Sequence, residues 1–507
     1  MKRALISVTN KDGVVDFAKG LVELGFEIVS TGGTMKVLQE NGVSCIAIDD
    51  VTGFPEMLDG RVKTLHPMVH GGLLYRRDLP SHVETIKKHG IHPIDLVCVN
   101  LYEFEKALKA GKDLPDMIEN IDIGGPSMIR SAAKNFKDVL IVTDPKDYDN
   151  VLDAIKNDTT DFDFRMNLAY KAFSMTGAYD AMISRYFADQ VGDQFPDTLN
   201  LSLKKVEHLR YGENSQQAAN KYEDSYVQKS LLDYEQLHGK EISFNNVNDL
   251  YGAVALVREF GNQIVTAAIK HSTPCGVAIG NTGYDSYMKA YEADPQSIFG
   301  GIVAVNYKID KATAEQMHKI FLEIVAAPDF DDDALEILKK KKNLRILKLK
   351  NLDARGAKYD IKYLEGKVLV QELNTKMIDE MKVVTNVQPT KEQLTDMEFG
   401  MKVVKNMKSN AIAIVKDGET LALGCGQTSR IWALKNAIEN NKDKNFEGAI
   451  LASDAFFPFD DCVTLAHEVG IKAIVQPGGS MRDQDSIDAC DKNSMTMVFT
   501  GVRHFKH

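Results

Sequence analysis

A chain of 507 residues that is 44% hydrophobic and 26% charged has a soluble, globular composition and is too long for one ordinary core. A formal net charge of −11 argues against general polyanion binding, so no nucleic acid partner is expected, although a few cations in a pocket suffice for an anionic small molecule. No apolar run approaches the roughly 20 residues of a membrane helix, and the start, MKRALISVTNKDG, lacks a signal-peptide core. The six cysteines show no CxxC and no paired spacing, as reduced thiols of a cytoplasmic protein would.

In chain order, Ala4–Val8 is expected to form a strand and Thr9–Gly13 a turn, after which Val14, Val15, Phe17, Ala18, Leu21 and Leu24 recur at helical spacing. A second strand, Phe26–Ser30, runs through Thr31-Gly32-Gly33-Thr34 into a helix expected near Met35. This alternation implies a parallel sheet covered by helices, and its strand-to-helix loops could hold a phosphate. A lone TGGT is more often a plain left-handed turn. Three polar clusters follow: GRVKTLHP at Gly60–Pro67, Asn100-Leu101-Tyr102 after an expected strand Ile94–Val99, and DIGGPSMIRSAAK at Asp122–Lys134. Pro126 suits the first turn of a helix that Met128, Ile129, Ala132 and Ala133 continue. Asp122 precedes that helix and Lys134 stands about two turns along it, a rise on the order of 12 Å that long side chains or an intervening ligand must bridge. Singly, each cluster is an ordinary capped helix or solvated loop. Together they put Lys, Tyr, Asp and Lys at the ends of neighbouring strands, where open α/β sheets bind ligands.

Gly192–Asn200, GDQFPDTLN, is polar and follows the aromatic-rich helical stretch Tyr170–Phe187, so a domain boundary is placed near residue 198, giving domains 1–197 and 198–507. Further on, Val265–Ile269 reads as a buried strand that Pro274 and Gly276 end, delivering Lys270 and His271. A fixed cation beside a group titrating near neutrality suits proton transfer and oxyanion stabilisation, although a surface lysine beside a core histidine is the commoner arrangement. The stretch has an echo. Ala267–Gly280 and then Gly301–Asn306 repeat as Met407–Gly424 and then Gly448–Ser453, with Ser409 standing where His271 does. The basic run Lys339–Lys350 after the acidic Asp329–Asp333 reads as a charge-compensated, solvated helix end. A zinc deaminase needs H-x-E and P-C-x-x-C, but Pro274-Cys275 is followed by Gly276-Val277-Ala278 and no H-x-E precedes it, so no catalytic metal is expected.

The motifs SVTNKDG, STGGT, GFPEMLDGRVKTLHPMVHGG, NLY and IDIGGPSMIRSAAKN, in that order, resemble the IMP cyclohydrolase domain of a bifunctional purine-biosynthesis family. The family's other activity is phosphoribosylaminoimidazolecarboxamide (AICAR) formyltransferase. The resemblance implies an α/β chain with a methylglyoxal-synthase-like parallel-sheet domain followed by a duplicated cytidine-deaminase-like domain. It implies nucleotide contacts, chiefly to phosphate, at Thr9, Asn10, Lys11, Thr31, Gly32, Gly33, Thr34, Arg61 and Thr64, with Asn100 beside them. Lys63, Tyr102, Asp122 and Lys134 match catalytic positions. Lys134 and Asp122 would manage the amide proton while Lys63 and Tyr102 steady the oxyanion and departing hydroxide, either lysine being a fit for the acid.

In the second domain, Lys270 and His271 would transfer a formyl group from the co-substrate 10-formyltetrahydrofolate to AICAR, giving the formyl-AICAR that the first domain closes to IMP. Arg210 and Tyr211 would grip the nucleotide, in a segment where Ser215 and Gln216 replace the family's usual Pro-His. Gly300, Glu323, Asn410, Arg430 and Arg503 would bind the imidazole nucleotide; Ile431, Phe456, Asp461 and Ser480 would line the folate side. FFPF among aspartates is an odd core and suits a flat pterin, while Arg503, so near the end, implies a docked terminus. A homodimer sharing the formyltransferase site between subunits is also implied. The competing class, a non-catalytic ligand sensor, is disfavoured by the joint presence of Lys63, Tyr102, Asp122 and Lys134.

Overall fold

Five short apolar runs pair side by side as a parallel sheet, in the order Cys45–Ala47, Phe26–Ser30, Lys2–Ser7, Leu96–Val99 and Leu140–Val142. Ala4, Leu5, Ile6 and all of Leu96–Val99 are buried, as expected of strands covered on both faces. Helices Val14–Glu23, Gly124–Lys134 and the 29-residue Phe162–Gln190 supply much of the cover. Val14, Phe17, Ala18 and Leu21 form the buried stripe of the first. The computed structural model describes residues 2–58 and 60–507, in two units: one reaches Lys204 and includes Glu223–Tyr226, and the other comprises Lys205–Tyr222 and Val227–His507.

The second unit is built on a sheet of twelve strands, and its order is a doubled motif. In one half the hairpin Val265–Lys270/Thr273–Ile279 is followed by parallel strands Ile302–Val305, Ile324–Ala327 and Arg345–Leu349, with Tyr234–His238 antiparallel at the edge. In the other the hairpin Ile412–Lys416/Glu419–Gly424 is followed by Ile450–Ser453, Ala473–Gln476 and Thr496–Phe499, with Lys382–Val383 antiparallel at the edge. The halves join antiparallel at Ala278↔Glu419, where the Ile279 N–H donates to Gly418 O at 2.9 Å and the Val277 N–H to Thr420 Oγ1 at 3.0 Å. Helices Phe244–Arg258 and Lys391–Val404 share one core on one face, with Phe260 against Phe399 at 5.4 Å, while the other face carries two separate cores. Each of those helices opens with a capping box, Ser243 with Asn246 and Thr390 with Gln393.

Three expectations are corrected. The helix after Phe26–Ser30 begins at Gly32 rather than near Met35, with Thr31 as its N-cap, so the two glycines form its first turn. The strand Val265–Lys270 is not ended by Pro274 and Gly276, which lie inside the returning strand around a bulge; the chain turns at His271-Ser272, whose φ values of 51° and 58° fit a two-residue hairpin turn. The basic run is not all solvated, because Arg345–Leu349 is a largely buried strand with Arg345 bonded to Glu323 and Lys348 to Asp329, both at 2.7 Å.

Candidate active sites

In the first unit the order of the parallel strands reverses between Lys2–Ser7 and Leu96–Val99, and ligands bind at the carboxyl ends of strands at such a point. A cavity of about 700 Å³ opens there, lined by Thr9, Lys11, Thr31, Gly32, Gly33, Thr34, Arg61, Lys63, Thr64, Asn100, Tyr102 and Asp122, among others. Asn100 staples the two central loops: its Oδ1 accepts from the Thr9 and Asn10 N–H groups at 2.5 and 3.1 Å, and its Nδ2 donates to Asn10 O at 3.0 Å. Asn10 itself is exposed and outside the lining. The Thr34 hydroxyl locks to Val8, and Ser7 Oγ lies 2.6 Å from Thr31 Oγ1, so both phosphate-type loops are held by hydroxyls. Gly32 and Gly33 begin a helix whose first N–H groups have no intrahelical partner, a ready anion cradle.

An antiparallel bridge pairs Met57 with Val62, inside the GRVKT segment. Gly60 has φ 89°, and a Cβ there would meet Glu56 Oε1 at 2.7 Å and Lys63 Cε at 2.8 Å. Lys63 pairs with Glu56 at 2.9 Å and Arg61 with Glu119, so the sequence reading missed the two acids that hold its cations. Asp122 is half-buried before helix Gly124–Lys134, and its Oδ1 accepts from the Gly125 N–H at 2.8 Å. Burial raises its pKa, against the pull of N–H groups from Gly125, Tyr102 and Gly124. Lys134 is the exposed last residue of that helix and does not line the cavity.

In the second unit the strand registers bring the sequence-matched residues of the sheet to one end of it. The carboxyl end of Val265–Lys270 faces the amino ends of Ile302–Val305, Ile324–Ala327 and Ile412–Lys416, and the carboxyl ends of Glu419–Gly424, Ile450–Ser453, Ala473–Gln476 and Thr496–Phe499. Lys270, His271, Gly300, Glu323, Asn410, Phe456, Ser480 and Arg503 lie in or within four residues of those termini, and Arg430, Ile431 and Asp461 open the helices that follow them. Arg210 and Tyr211 lie outside the sheet, in a loop whose Glu213 O accepts from Asn245 Nδ2 at 3.1 Å, beside the helix that also holds Asn248 and Asp249.

Lys270 Nζ donates to Phe299 O at 3.2 Å and Gly300 O at 2.8 Å. A Cβ at Gly300, φ 67°, would stand 3.1 Å from that nitrogen. The exposed His271 rides on a turn pinned through Ser272, whose hydroxyl donates to Asp249 at 2.8 Å and accepts from Asn248 at 2.8 Å. Arg430 is buried and bonds to Asp454, to Ser453 Oγ at 2.9 Å and to Asn410 Oδ1 at 2.8 Å; Asp454 also takes the Ser409 hydroxyl and the Ala411 N–H. The terminus docks here: the His504 N–H donates to Asp454 O at 2.8 Å and the Ser409 N–H to Lys506 O at 2.9 Å. In FFPF, Phe457 is fully buried core, Phe456 is half-buried, and Phe459 is exposed under Arg482. No cluster of three His, Cys, Asp or Glu side chains suited to a metal occurs among the described residues. None of their helices is long and apolar enough to cross a membrane.

One further correction concerns the echo. The counterpart of the His271-Ser272 turn is Asp417-Gly418, with φ values of 52° and 71°, at the opposite end of the sheet; Ser409 precedes the second hairpin altogether.

A switch-point cavity rimmed by hydroxyl-pinned loops in one unit, and in the other a sheet end that gathers Lys270, Arg430 and Arg503, are features of enzymes that bind anionic substrates such as nucleotides. The profile of the MGS-like domain family matches residues 13–127, and that of the AICARFT/IMPCHase bienzyme family matches residues 132–440, more than half of the chain. Full-length similarity extends to proteins called bifunctional purine biosynthesis protein PurH: 63% identity with that of Clostridioides difficile (strain 630), and 53% with those of Thermoanaerobacter sp. (strain X514) and Clostridium botulinum (strain Okra / Type B1), each over 100% of both chains. The chain belongs to the AICARFT/IMPCHase bienzyme family. It is a bifunctional enzyme of purine biosynthesis, an AICAR formyltransferase that uses a folate co-substrate and an IMP cyclohydrolase, acting in the last two steps to IMP.

Proposed function

We propose that residues 1–197 close the ring and residues 198–507 transfer the formyl group from 10-formyltetrahydrofolate. The convergence of Lys270, His271, Gly300, Asn410 and Arg430 at one sheet end carries the second assignment. The 5-amino nitrogen of AICAR attacks the formyl carbon, the bond from that carbon to the folate nitrogen breaks, and the amine proton passes to His271 and so to the departing folate nitrogen. An ammonium has three donors, and Lys270 spends two on Phe299 O and Gly300 O, leaving one for the tetrahedral oxyanion.

In the first site the carboxamide nitrogen attacks the formyl carbon and gives up one proton. The formyl oxygen leaves as water as the other amide nitrogen loses its own. Asp122, with its pKa raised by burial, suits proton handling; Lys63 and Tyr102 stabilise the oxyanion, and the loops around Thr9, Lys11, Thr31 and Thr34 hold the phosphate. Lys134 keeps its assigned role on family resemblance alone.

A cytoplasmic homodimer fits this reading. Strands spaced about 4.8 Å apart set the strand that leads to Ser480 five places from that of Lys270, so the two stand on the order of 24 Å apart in one chain. Folate-side and amine-side residues that far apart meet at one reaction centre when two copies face each other. The test feeds AICAR and 10-formyltetrahydrofolate and follows formyl-AICAR and IMP separately. His271→Ala is expected to abolish formyl transfer and still cyclise supplied formyl-AICAR, and Lys134→Ala the converse. Parallel loss of both activities in either variant overturns the two-site assignment.

A further inference from the structure

We infer that Tyr179, on the long helix Phe162–Gln190, is a positioning residue for ring closure that sets the Asp122 turn and ties it to the Tyr102 loop; this rests on the proposed cyclohydrolase site. A single phenol oxygen closes both ends of the turn: it accepts from the Asp122 N–H at 2.9 Å and donates to Asn120 O at 2.9 Å. The Tyr179 ring meets Phe104 edge-on at 6.3 Å and 74°, and the Phe104 N–H donates to Tyr102 O at 2.9 Å. Phe104 is buried between Tyr179 and Tyr186, its ring 5.7 Å from the latter. One side chain therefore touches the backbone that carries Asp122 and the aromatic anchor of the loop that carries Tyr102. Neither catalytic side chain is held by Tyr179 directly, so its effect is one of placement.

The phenol is suited to a fixed, two-way hydrogen bond. Burial, with the charges of Asp122 and Asp180 nearby, pushes its pKa up to about 12, so it stays a protonated donor across the working range. Asp122 has its Oδ1 tied to the Gly125 N–H at 2.8 Å. With its backbone N–H held by Tyr179 and its carboxyl facing the N–H groups of Gly125, Tyr102 and Gly124, Asp122 is fixed from both sides. Helix Phe162–Gln190 also packs along helix Gly124–Lys134, so the phenol is delivered by a rigid element rather than by a loop.

The experiment compares the full-length enzyme with Tyr179→Phe, which keeps the ring and deletes both hydrogen bonds. Ring closure of supplied formyl-AICAR is expected to lose roughly tenfold in kcat, as misplacement of a reacting group does, with KM within about twofold. The carboxyl limb of its kcat–pH profile is expected to move toward the ordinary aspartate range as the loosened turn admits water. Formyl transfer by the same preparation stays at the wild-type rate and serves as the folding control. Asp122→Asn is the control for the underlying reading: ring closure at the wild-type rate in that variant removes the site itself. If Asp122→Asn is inactive while Tyr179→Phe keeps the wild-type kcat and pH profile, the positioning role alone is overturned. Equal loss of both activities in Tyr179→Phe, with a lowered Tm, makes Tyr179 a merely structural residue and also overturns it.

Discussion

Substituting Gly125 with alanine puts a methyl group against the carboxyl proposed to handle the ring-closure proton. An alanine Cβ at this position stands 2.5 Å from Asp122 Oδ2 and 2.9 Å from Leu101 Cδ2, where ordinary contact begins at 3.4 Å. Asp122 must therefore retreat by roughly 0.9 Å, the difference between those values, or rotate away from the Gly125 N–H that it accepts at 2.8 Å. Gly125 lies in the first turn of a helix with no positive φ, but it precedes Pro126, whose ring disfavours the helical region for a residue with a Cβ, so alanine brings no helix-propensity gain there. Overpacking costs about 1–3 kcal/mol, so Tm is expected to fall modestly while the protein still folds, as its formyl transfer reports. A displacement near 1 Å of a reacting group costs on the order of 100-fold in rate. Gly125→Ala should thus lower the kcat of ring closure about 100-fold, with formyl transfer by the same protein unchanged. Stopped assays on supplied formyl-AICAR read the first, and tetrahydrofolate release in the presence of AICAR reads the second. Ring closure within a few-fold of wild type would refute the assignment of Asp122, because no other route relieves the overlap without moving it or Leu101.

Two further outcomes follow from buried charge. Asp454→Asn leaves the Arg430 guanidinium buried without its carboxylate, which should cost about 3–5 kcal/mol, lower Tm and abolish formyl transfer while supplied formyl-AICAR still cyclises; an unchanged Tm excludes the pair as a structural anchor. His504 is fully buried as a neutral ring, Nε2–H donating to Met377 O at 2.8 Å and Nδ1 facing Asn374 Nδ2 at 3.2 Å, the tautomer that satisfies both partners. Burial holds its pKa below the usual 6.5, with Lys405 acting the same way and Met377 O, Glu259 and Asp454 opposing. A depressed folded pKa means stability is full above 6.5 and is lost as pH falls through that value toward the folded one. Wild-type Tm should therefore drop more steeply between pH 7 and 5 than that of His504→Gln, and parallel curves sink the idea.

The parallel sheet and its helices were legible because buried strands and amphipathic helices carry their own periods. The cavity residues were legible because the phosphate loops sit at strand ends. What misled was turn chemistry. His271-Ser272 is not one of the Asn-Gly or Asp-Gly pairs that announce a two-residue hairpin, so the turn was read downstream at Pro274. Its counterpart Asp417-Gly418 does carry that signal, and aligning the copies on it rather than on the small residues before Ile412 gives the correct equivalence. Glu56, Asp249 and Tyr179 were invisible for another reason, and Asp454 stood out only as a neighbour of FFPF: each acts on a residue distant in sequence, or across a turn whose shape was unknown.

The corrected equivalence changes what Lys270 signifies. Asp249 and Asp396 stand six residues after the N-caps Ser243 and Thr390, and each receives its own hairpin turn, Asp249 from the Ser272 hydroxyl and Asp396 from the Asp417 and Gly418 N–H groups at 2.9 and 2.8 Å. Lys416 ends its strand as Lys270 does, and donates to Glu447 O at 2.8 Å just before Gly448, whose φ of 76° matches the 67° of Gly300. A lysine that ties the hairpin to the carbonyls before the next strand is thus a property of the duplicated fold, present at both ends of the sheet. What one end has and the other lacks is an imidazole on the turn, with Asp417 in its place, and at the same sheet end the buried Arg430–Asp454 pair. The group without a counterpart is therefore His271, the residue proposed to take the amine proton. Lys270 reads first as an inherited brace, and its remaining N–H is what chemistry at that end can use.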